Sequence, residues 1–503
     1  MHSDSDSDPN DPDTLTLELH NDSTVYFDAH TDSLFCLSAH PLRPAQIVAT
    51  GSGDDSAWVW AVPDTWPGGA GATPSPDGST AIVRPASARQ LQKLDGHTDS
   101  VVGVVFTRNF IVTGGLDGRV RFWRESGGAG WDGMKKYRAK HPRVWTCIGE
   151  SREVEEIVWV SERPVDAEGS GEDEIIAVGA NDGSVWVYGL TKEGKKGGSF
   201  QVLEAMYKHT ASCTAGTWSE DGKFLATVSE DGGLAVWDYE LRKDVVSLSS
   251  ADARFRGTDG AGWFSVAISP EGPGAKVVVV GGGDGECRVV ALPRGGTGGG
   301  AVIASMHAHT SSVETLSFSR GPPGGQLHLL ASAGVDGRIV FYDIARGYAI
   351  RRVVEHAHSV IDEPRNPAPT ITTAAPAITP ATIAAAPSTA TATPTSQQSP
   401  AQEEEEMDET VVQISFLPGT LTLTSCGADG CVKRWDARTG ALLDVKRGHQ
   451  SGSLVLGFVQ TGEVLGFNTE AREAAEAVAG QGARWGRIVS AGDDGVGLVF
   501  DVL

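Results

Sequence analysis

The sequence predicts an all-β repeat fold, a β-propeller of eight blades. Three observations predict it: a turn-aspartate pattern recurs eight times, a strand-like alternation follows each copy, and glycine is abundant. The 63 glycines among 503 residues are nearly double the ~7% of average proteins, so the chain turns often. The regular recurrence indicates a single repeat architecture rather than the about three domains that length alone suggests.

Each repeat reads as a small residue, a turn aspartate, a glycine in all copies but the first, an alternating strand and a large residue. The turn aspartates are Asp54, Asp117, Asp182, Asp231, Asp284, Asp336, Asp429 and Asp494. Six residues after each stand Trp60, Trp123, Tyr188, Trp237, Val290, Tyr342, Trp435 and Phe500. Because Asp-Gly favours the tight turn of a hairpin and the alternation describes a half-buried strand, each copy predicts the central hairpin of one blade.

A histidine stands in the loop before most repeats. These histidines are His30, His97, His209 and His309, with His358 and His449 further from their turns. The pattern resembles the WD40 repeat, in which a His, a Ser or Thr, the turn Asp and the Trp form a hydrogen-bonded tetrad. The predicted tetrads are His97, Thr113, Asp117 and Trp123 in blade two, and His209, Ser229, Asp231 and Trp237 in blade four. Recurrence favours this structural role over a hydrolytic triad.

Insertions explain why the turn aspartates lie 49 to 93 residues apart, against ~40–45 in a minimal repeat. We predict an acidic disordered tail over 1–22, blades one to six over 23–360, a disordered Ala/Pro/Thr- and Glu-rich insertion over 361–410, and blades seven and eight over 411–503. The last repeat has three strands, so we expect the strand-like segment at 23–28 to supply its fourth and close the ring.

Charge and composition exclude several classes of function. The net charge of -24 repels nucleic-acid phosphates and attracts basic partners, so we expect no direct nucleic-acid binding. Residues 1–13 lack a secretory signal, and the longest aliphatic run, at 277–280, is far shorter than the ~20 residues of a membrane span. We therefore expect a monomer in the cytoplasm, with the nucleus as a further location.

Chemistry-bearing motifs are also missing. Cys426 and Cys431 flank one turn, and free thiols are favoured there over a metal or redox pair. The glycine run at 281–285 lacks the spacing of a phosphate-binding loop. No unrepeated acid, base and nucleophile set occurs, so the sequence predicts a non-enzymatic protein without catalytic residues, cofactor or metal.

Five longer segments resemble one particular family among the WD40 proteins. They read YFDAHTDSLFCLSAHP, TGSGDDSAWVW, GTDGAGWFSVAIS, SSVETLSFS and GCVKRWDARTGALLDVKRGHQ. Together they resemble the angio-associated migratory cell protein family of WD40 proteins, which includes a fungal dedicated chaperone of a large-subunit ribosomal protein. The resemblance implies an eight-bladed propeller and a partner that is the basic N-terminal segment of a newly made ribosomal protein. The chain departs from the family in its long Ala-Pro-Thr tract and in blades three and five, which lack a clear His.

The residues suggest where such a partner would bind. The Asp turns and the loops before the first strands lie on one face of a WD40 propeller, where carboxylates can hold Arg and Lys side chains. The predicted contacts on that face are Asp32, Asp54, Asp55, Asp99, Trp145, Glu230, Trp263, Glu314 and Asp493. Glu314 is favoured because a charge five residues after a blade His sits where a strand opens onto that face. The alternative is a general WD40 scaffold subunit whose acidic face is incidental.

Overall fold

The structure is a computed structural model. It describes residues 21–41, 46–62, 85–126, 144–152, 155–164, 174–192, 198–270, 276–293, 299–319, 328–359, 409–450, 453–460 and 486–502. Within these ranges β-strands dominate, and short 3-10 helices cover Thr258–Gly260 and Ile344–Arg346. None of the helices in this part of the chain has the length and apolar character needed to cross a membrane.

The chain folds as eight blades of antiparallel β-sheet, the predicted all-β propeller architecture. It divides into two compact units, one made of Met1–Cys213, Gly430–Lys433 and Asp444–Leu503, the other of Thr214–Asp429 and Arg434–Leu443. Within each unit the first strands of consecutive blades pack against one another. This is the arrangement expected when every blade points one edge strand towards a common axis.

The first unit holds blades one, two, three and eight. Blade one consists of Leu34–Ala39 (β2), Ile47–Ser52 (β3), Ala57–Ala61 (β4) and Arg89–Leu94 (β6). Blade two consists of Val101–Phe106 (β7), Phe110–Gly115 (β8), Val120–Ser126 (β9) and Val144–Ser151 (β10). Blade three consists of Ile157–Glu162 (β11), Glu174–Ala180 (β12), Ser184–Thr191 (β13) and Ser199–Tyr207 (β14).

The second unit holds blades four, five and six and most of blade seven. Blade four consists of Ala215–Trp218 (β15), Phe224–Val228 (β16), Leu234–Asp238 (β17) and Lys243–Leu248 (β18). Blade five consists of Trp263–Ile268 (β19), Val277–Gly282 (β20), Glu286–Ala291 (β21) and Val302–His307 (β22). Blade six consists of Thr315–Phe318 (β23), Leu329–Ala333 (β24), Ile339–Asp343 (β25) and Ala349–Val354 (β26). Blade seven consists of Val411–Phe416 (β27), Thr422–Gly427 (β28), Val432–Asp436 (β29) and Ala441–Lys446 (β30).

Blade eight is built from both ends of the described chain, as the sequence predicts. It consists of Val455–Gln460 (β31), Gly486–Gly492 (β32), Gly497–Val502 (β33) and Val25–Phe27 (β1), with Ala86–Ser87 (β5) added beyond β1. Strand β1 runs antiparallel to β33 and pairs Val25 with Val499. Strand β5 was not predicted; it runs parallel to β1 and pairs Val25 with Ala86.

The core lies between the faces of adjacent sheets. Between blades two and three, for example, Phe122 stacks on Phe200 with ring centroids 4.2 Å apart and tilts against Tyr188 at 5.3 Å. Strands β12 and β13 are buried along nearly their whole length, which matches sheets covered on both faces. Each added blade therefore buries apolar surface that it could not bury alone.

Complete tetrads form in blades one, two and seven, and the one in blade two is the set predicted there. In blade two the His97 ring bridges the Asp117 carboxylate at 3.0 Å and the Thr113 hydroxyl at 2.8 Å, and Trp123 Nε1 donates to that hydroxyl at 3.1 Å. His309 and His449 bridge their aspartates and serines in the same way in blades six and eight. The recurrence identifies these polar sets as internal supports of the sheet.

Blade four shows that one tetrad member was predicted in the wrong register. In blades one, two, six, seven and eight the hydroxyl stands four residues before the turn aspartate, and in blade four that position is Thr227, paired with Ala235 across the sheet. Ser229 accepts a hydrogen bond from the Asp231 backbone N–H at 3.1 Å, the role that Ser52 has for Asp54 in blade one. Ser229 therefore supports the turn, and Thr227 stands at the hydroxyl position of the tetrad.

Parts of two predicted segments lie within the described residues. From the predicted tail, Asp22 donates its backbone N–H to the Arg447 carbonyl at 2.8 Å. From the predicted insertion, the Glu409 carboxylate contacts His356 Nδ1 at 2.8 Å, and the Thr410 carbonyl accepts a hydrogen bond from Ala428. Residues 1–20 and 361–408 of these predicted segments lie outside the described part of the chain.

Candidate partner-binding site

One end of every blade carries both the turn between its second and third strands and the loop before its first strand. We call it the Asp-turn end, because the turn aspartate lies there. The tetrad contacts tie the loop to the turn: in blade one Asp54 accepts hydrogen bonds from Thr31 N at 3.1 Å and interacts with His30 at 3.0 Å. Six of the predicted contact residues are acidic, lie at this end and are exposed or half-buried. They are Asp32, Asp55, Asp99, Glu230, Glu314 and Asp493.

Asp32 and Asp99 occupy the same position in neighbouring blades. Each lies two residues after a tetrad histidine, and each accepts the following serine's backbone N–H at 2.7 Å through Oδ1. This local bond fixes the carboxylate while the side chain stays exposed. The repeated His-Thr-Asp-Ser sequence thus presents two oriented carboxylates at the Asp-turn end of the first unit.

Glu230 and Asp493 also share a position, immediately before a turn aspartate. Glu230 is exposed in the second unit, whereas Asp493 is half-buried in the first. Asp493 Oδ1 is enclosed and has no hydrogen-bond partner among the described residues. Asp55 is exposed at the following turn position with φ of 61°, where the other seven turns have glycine. Left-handed backbone is tolerated by Asp better than by most residues.

The structure corrects the prediction for Asp54. Its carboxylate is used internally: Oδ1 accepts bonds from Ser56 N at 3.1 Å and Ser56 Oγ at 2.6 Å, and Oδ2 serves Thr31 and His30. Burial alone raises the pKa of Asp54, but the hydrogen bonds from Ser56 and the interaction with His30 outweigh it and lower the pKa. A carboxylate consumed in this way supports its blade and is not a partner contact.

The two predicted aromatic contacts are also corrected. Trp263 is 0% exposed and donates its indole N–H to the Gly232 carbonyl at 3.0 Å. Trp145 is 3% exposed on β10, the strand of blade two furthest from β7, and packs edge-on against Phe106. Both rings are core, because a large apolar surface is more stable between sheets than in water.

The side chains of bulged residues, and not these two tryptophans, lie at the Asp-turn end. In six blades the pairing between the first and second strands shifts at one residue near the start of the first strand. The bulged residues are Phe35, Val102, Val158, Phe264, Val412 and Leu456. A bulge re-aims the side chain that it carries. Phe35 is 42% exposed, so apolar groups stand beside the carboxylates at this end.

Glu314 is at the matching position of blade six. It directly follows the buried Val313, as Phe264 follows Trp263, and its backbone N–H donates to the Ala333 carbonyl at 3.0 Å. That bond holds the start of the strand while the carboxylate is exposed. Glu314 is thus an acidic residue at a position that is apolar in six other blades.

Sequence reasoning missed three acidic residues in blade three: Glu155, Glu156 and Asp182, all exposed. Asn181 Nδ2 donates to Glu156 at 3.1 Å, and Asp182 accepts the Ser184 backbone N–H at 2.8 Å. The available signal was the absence of a histidine before β11, which leaves Asp182 without a tetrad role. Within the described residues no group of three or more His, Cys, Asp or Glu side chains is placed to hold a metal ion, and no disulfide joins the six cysteines.

Comparison with known proteins agrees with this architecture. The family model for the WD domain, G-beta repeat, matches residues 88–124, 200–238 and 300–343. The chain is 25% identical over 515 residues to ribosome assembly protein SQT1 of Saccharomyces cerevisiae. The match covers 98% of this chain and 89% of that protein. It is 23% identical over 447 residues to the angio-associated migratory cell protein of Homo sapiens, spanning 86% and 75%.

Solved structures give a stronger likeness. Chaetomium thermophilum Sqt1 is 32% identical, with a TM-score of 0.66 over 96% of this chain and 98% of that one. The same protein bound to the N-terminus of the ribosomal protein L10 is also 32% identical, with a TM-score of 0.67 over 96% and 100%. The chain therefore belongs to the WD40 proteins, in the family that contains Sqt1 and the angio-associated migratory cell protein.

Proposed function

We propose that this protein is a non-enzymatic ribosome-assembly chaperone, which captures the basic N-terminal segment of a newly made large-subunit ribosomal protein. The observation that carries the proposal is the relative that is 32% identical over nearly its whole length and was crystallised with the N-terminus of ribosomal protein L10. A client of this kind explains the net charge of -24, since a strongly acidic protein attracts a cationic segment. We propose that it acts as a monomer in the cytoplasm and also enters the nucleus.

The exposed or half-buried carboxylates at the Asp-turn ends are the proposed contacts. They are Asp32, Asp55, Asp99, Glu155, Glu156, Asp182 and Asp493 in the first unit, and Glu230 and Glu314 in the second. Several hold their carboxylates in place through local backbone bonds, so little side-chain freedom is lost on binding. Preoriented carboxylates form charge-assisted hydrogen bonds with Lys and Arg, and they increase the association rate.

Glu314 provides the sharpest test. Calorimetric titration should use the N-terminal peptide of ribosomal protein L10 with wild type, Glu314→Gln and Glu314→Lys, at low and high salt. We expect Glu314→Gln to weaken binding and Glu314→Lys to weaken it further, because reversal adds repulsion to a lost contact. Wild-type affinity should fall with salt, since charges are screened over a Debye length of about 8 Å at physiological ionic strength.

The matched control is Glu240→Lys. Glu240 is also an exposed glutamate of the second unit, but it lies at the turn between β17 and β18, at the opposite end of blade four from Glu230. The Glu240→Lys variant should bind the peptide as wild type does, and all variants should keep the wild-type melting temperature. Equal affinity for wild type and Glu314→Lys, or affinity indifferent to salt, would contradict the proposal. Several stoichiometric partners in affinity purification would then favour the general scaffold.

A further inference from the structure

Two phenylalanines among the described residues, one in each unit, rest on turn glycines at the Asp-turn ends, near acidic residues. Phe35 is the bulged residue of β2, between Leu34 and Cys36, and is 42% exposed. Phe264 is the bulged residue of β19, between Trp263 and Ser265, and is half-buried. A single exposed ring is ordinary on a protein surface, so the acidic neighbours of each ring are the informative feature.

In blade one a glycine lets the ring and a carboxylate share one surface. A Cβ atom added to Gly53 would lie 3.2 Å from Phe35 Cε2 and 3.0 Å from Asp32 Cγ. Both groups therefore lie over Gly53 as close neighbours. Asp493 flanks them, because its carbonyl accepts a hydrogen bond at 3.0 Å from Ser33, two residues before Phe35.

Blade five repeats the contact between ring and turn glycine in the other unit, with Ala261 at the position of Asp32. A Cβ atom added to Gly283 would lie 2.9 Å from Phe264 Cε2, so the ring again rests on a turn glycine. Gly262, two residues before Phe264, approaches the Glu230 backbone so closely that a Cβ there would lie 2.6 Å from Glu230 Cα. Glu230 thus takes the place beside Phe264 that Asp493 takes beside Phe35.

The chemistry of this arrangement favours one cation. A guanidinium is planar and weakly hydrated, so it can stack on an aromatic face while its N–H groups reach a carboxylate. An ammonium is compact and strongly hydrated, and it gains less from a ring. We propose that Phe35 with Asp32, and Phe264 with Glu230, form two subsites that select arginine over lysine in the bound segment. This inference rests on the proposed capture of a basic segment.

The test uses two synthetic peptides of equal length and charge, one with arginine and one with lysine at every basic position, beside the L10 N-terminal peptide. We expect wild type to bind the arginine peptide about two- to fivefold more tightly for each stacked guanidinium. Phe35→Leu and Phe264→Leu should each lower this arginine-to-lysine ratio, and the double variant should bring it close to one. Lysine-peptide affinity should hardly change, because the carboxylates remain.

Val102→Leu is the matched control, since it changes the bulged residue of blade two, which has no ring. It should keep the wild-type ratio, and all variants should keep the wild-type melting temperature. If the L10 and lysine peptides bind but wild type does not prefer arginine, or Phe35→Leu and Phe264→Leu leave the ratio unchanged, the subsites are wrong and the proposed function stands. If no basic peptide binds, the proposed function fails and the subsites fail with it.

Discussion

Blades two and three follow one another in the chain, yet they stabilise their Asp-turn ends differently. Blade two connects loop, turn and strand through His97, whose ring reaches both Asp117 and Thr113. Blade three has no histidine in the loop before β11, and its Tyr188 donates instead to Ser151 on the neighbouring β10 at 3.0 Å. The turn aspartate persists in both, because it accepts a backbone N–H two residues later, from Arg119 or Ser184.

This difference separates two roles of one residue type. Where the histidine is present, the aspartate side chain is enclosed, as in Asp117 at 3% exposure. Where it is absent, the aspartate is exposed, as in Asp182. Blade five differs from both: Gly257 stands at the histidine position, and Asp284 accepts a hydrogen bond from the backbone N–H of Thr258. In blade three the missing histidine thus leaves a carboxylate that can meet a partner, whereas in blade five a backbone N–H takes the place of the histidine.

The largest expected effect comes from removing an enclosed aspartate. Asp117→Ala leaves His97 and the Thr98 N–H without their acceptor, and it should lower the free energy of unfolding by about 1–3 kcal/mol. Asp182→Ala is the matched control in blade three and should change it by less than about 0.5 kcal/mol. Denaturant unfolding of both variants measures the contrast. Equal losses would show that the histidine does not set the aspartate's role.

The next effect is a dependence on pH. Burial lowers the pKa of His97, although Asp117 opposes this. The native state therefore binds fewer protons than the unfolded state below the ordinary histidine pKa of about 6.5. Stability should fall as the pH drops from about 6.5, and His97→Gln should make the melting temperature less sensitive to pH between 7.5 and 5.5. An unchanged slope in His97→Gln would contradict this role, and the exposed His356→Gln is the control.

A further pH effect has the opposite sign. Burial and the neighbouring Glu174 carboxylate raise the pKa of Glu162 in blade three to about 8, although Arg108 opposes them. The native state holds this proton where the unfolded state has lost it, so stability falls as the pH rises from about 4.3 to about 8. Glu162→Gln should raise the melting temperature at pH 8.5 and much less at pH 5, whereas Glu156→Gln should change neither. An equal gain at both values would point to packing.

The repeats were predictable because each depends on residues close in sequence. Asp117, Gly118 and Trp123 mark a hairpin and its buried strand without knowledge of any distant residue. Closure by β1 was also predictable, because an unpaired strand needs a partner. Strand β5 was not, since two residues carry too little pattern.

The site was harder to predict, because burial depends on the neighbouring blade. Trp145 and Trp263 were expected as surface contacts and are core, since whether a tryptophan meets water is decided by a sheet far away in sequence. Phe35 and Phe264 were missed because a bulge interrupts the two-residue period from which a side chain's direction is read. The acidic residues at the turns were easier to predict from the sequence, because the turn itself fixes their position.

The pairing of β1 with β33 has a consequence for synthesis on the ribosome. Thr24 donates its hydroxyl to the carbonyl of Val499, 475 residues later. At about 5–20 residues per second, the N-terminal strand waits tens of seconds before this partner leaves the exit tunnel. Strand β5 follows β1 by only about 60 residues, and its Ala86 N–H donates to the Thr24 carbonyl at 2.9 Å. An early partner on one edge shields the waiting strand from pairing with other nascent chains.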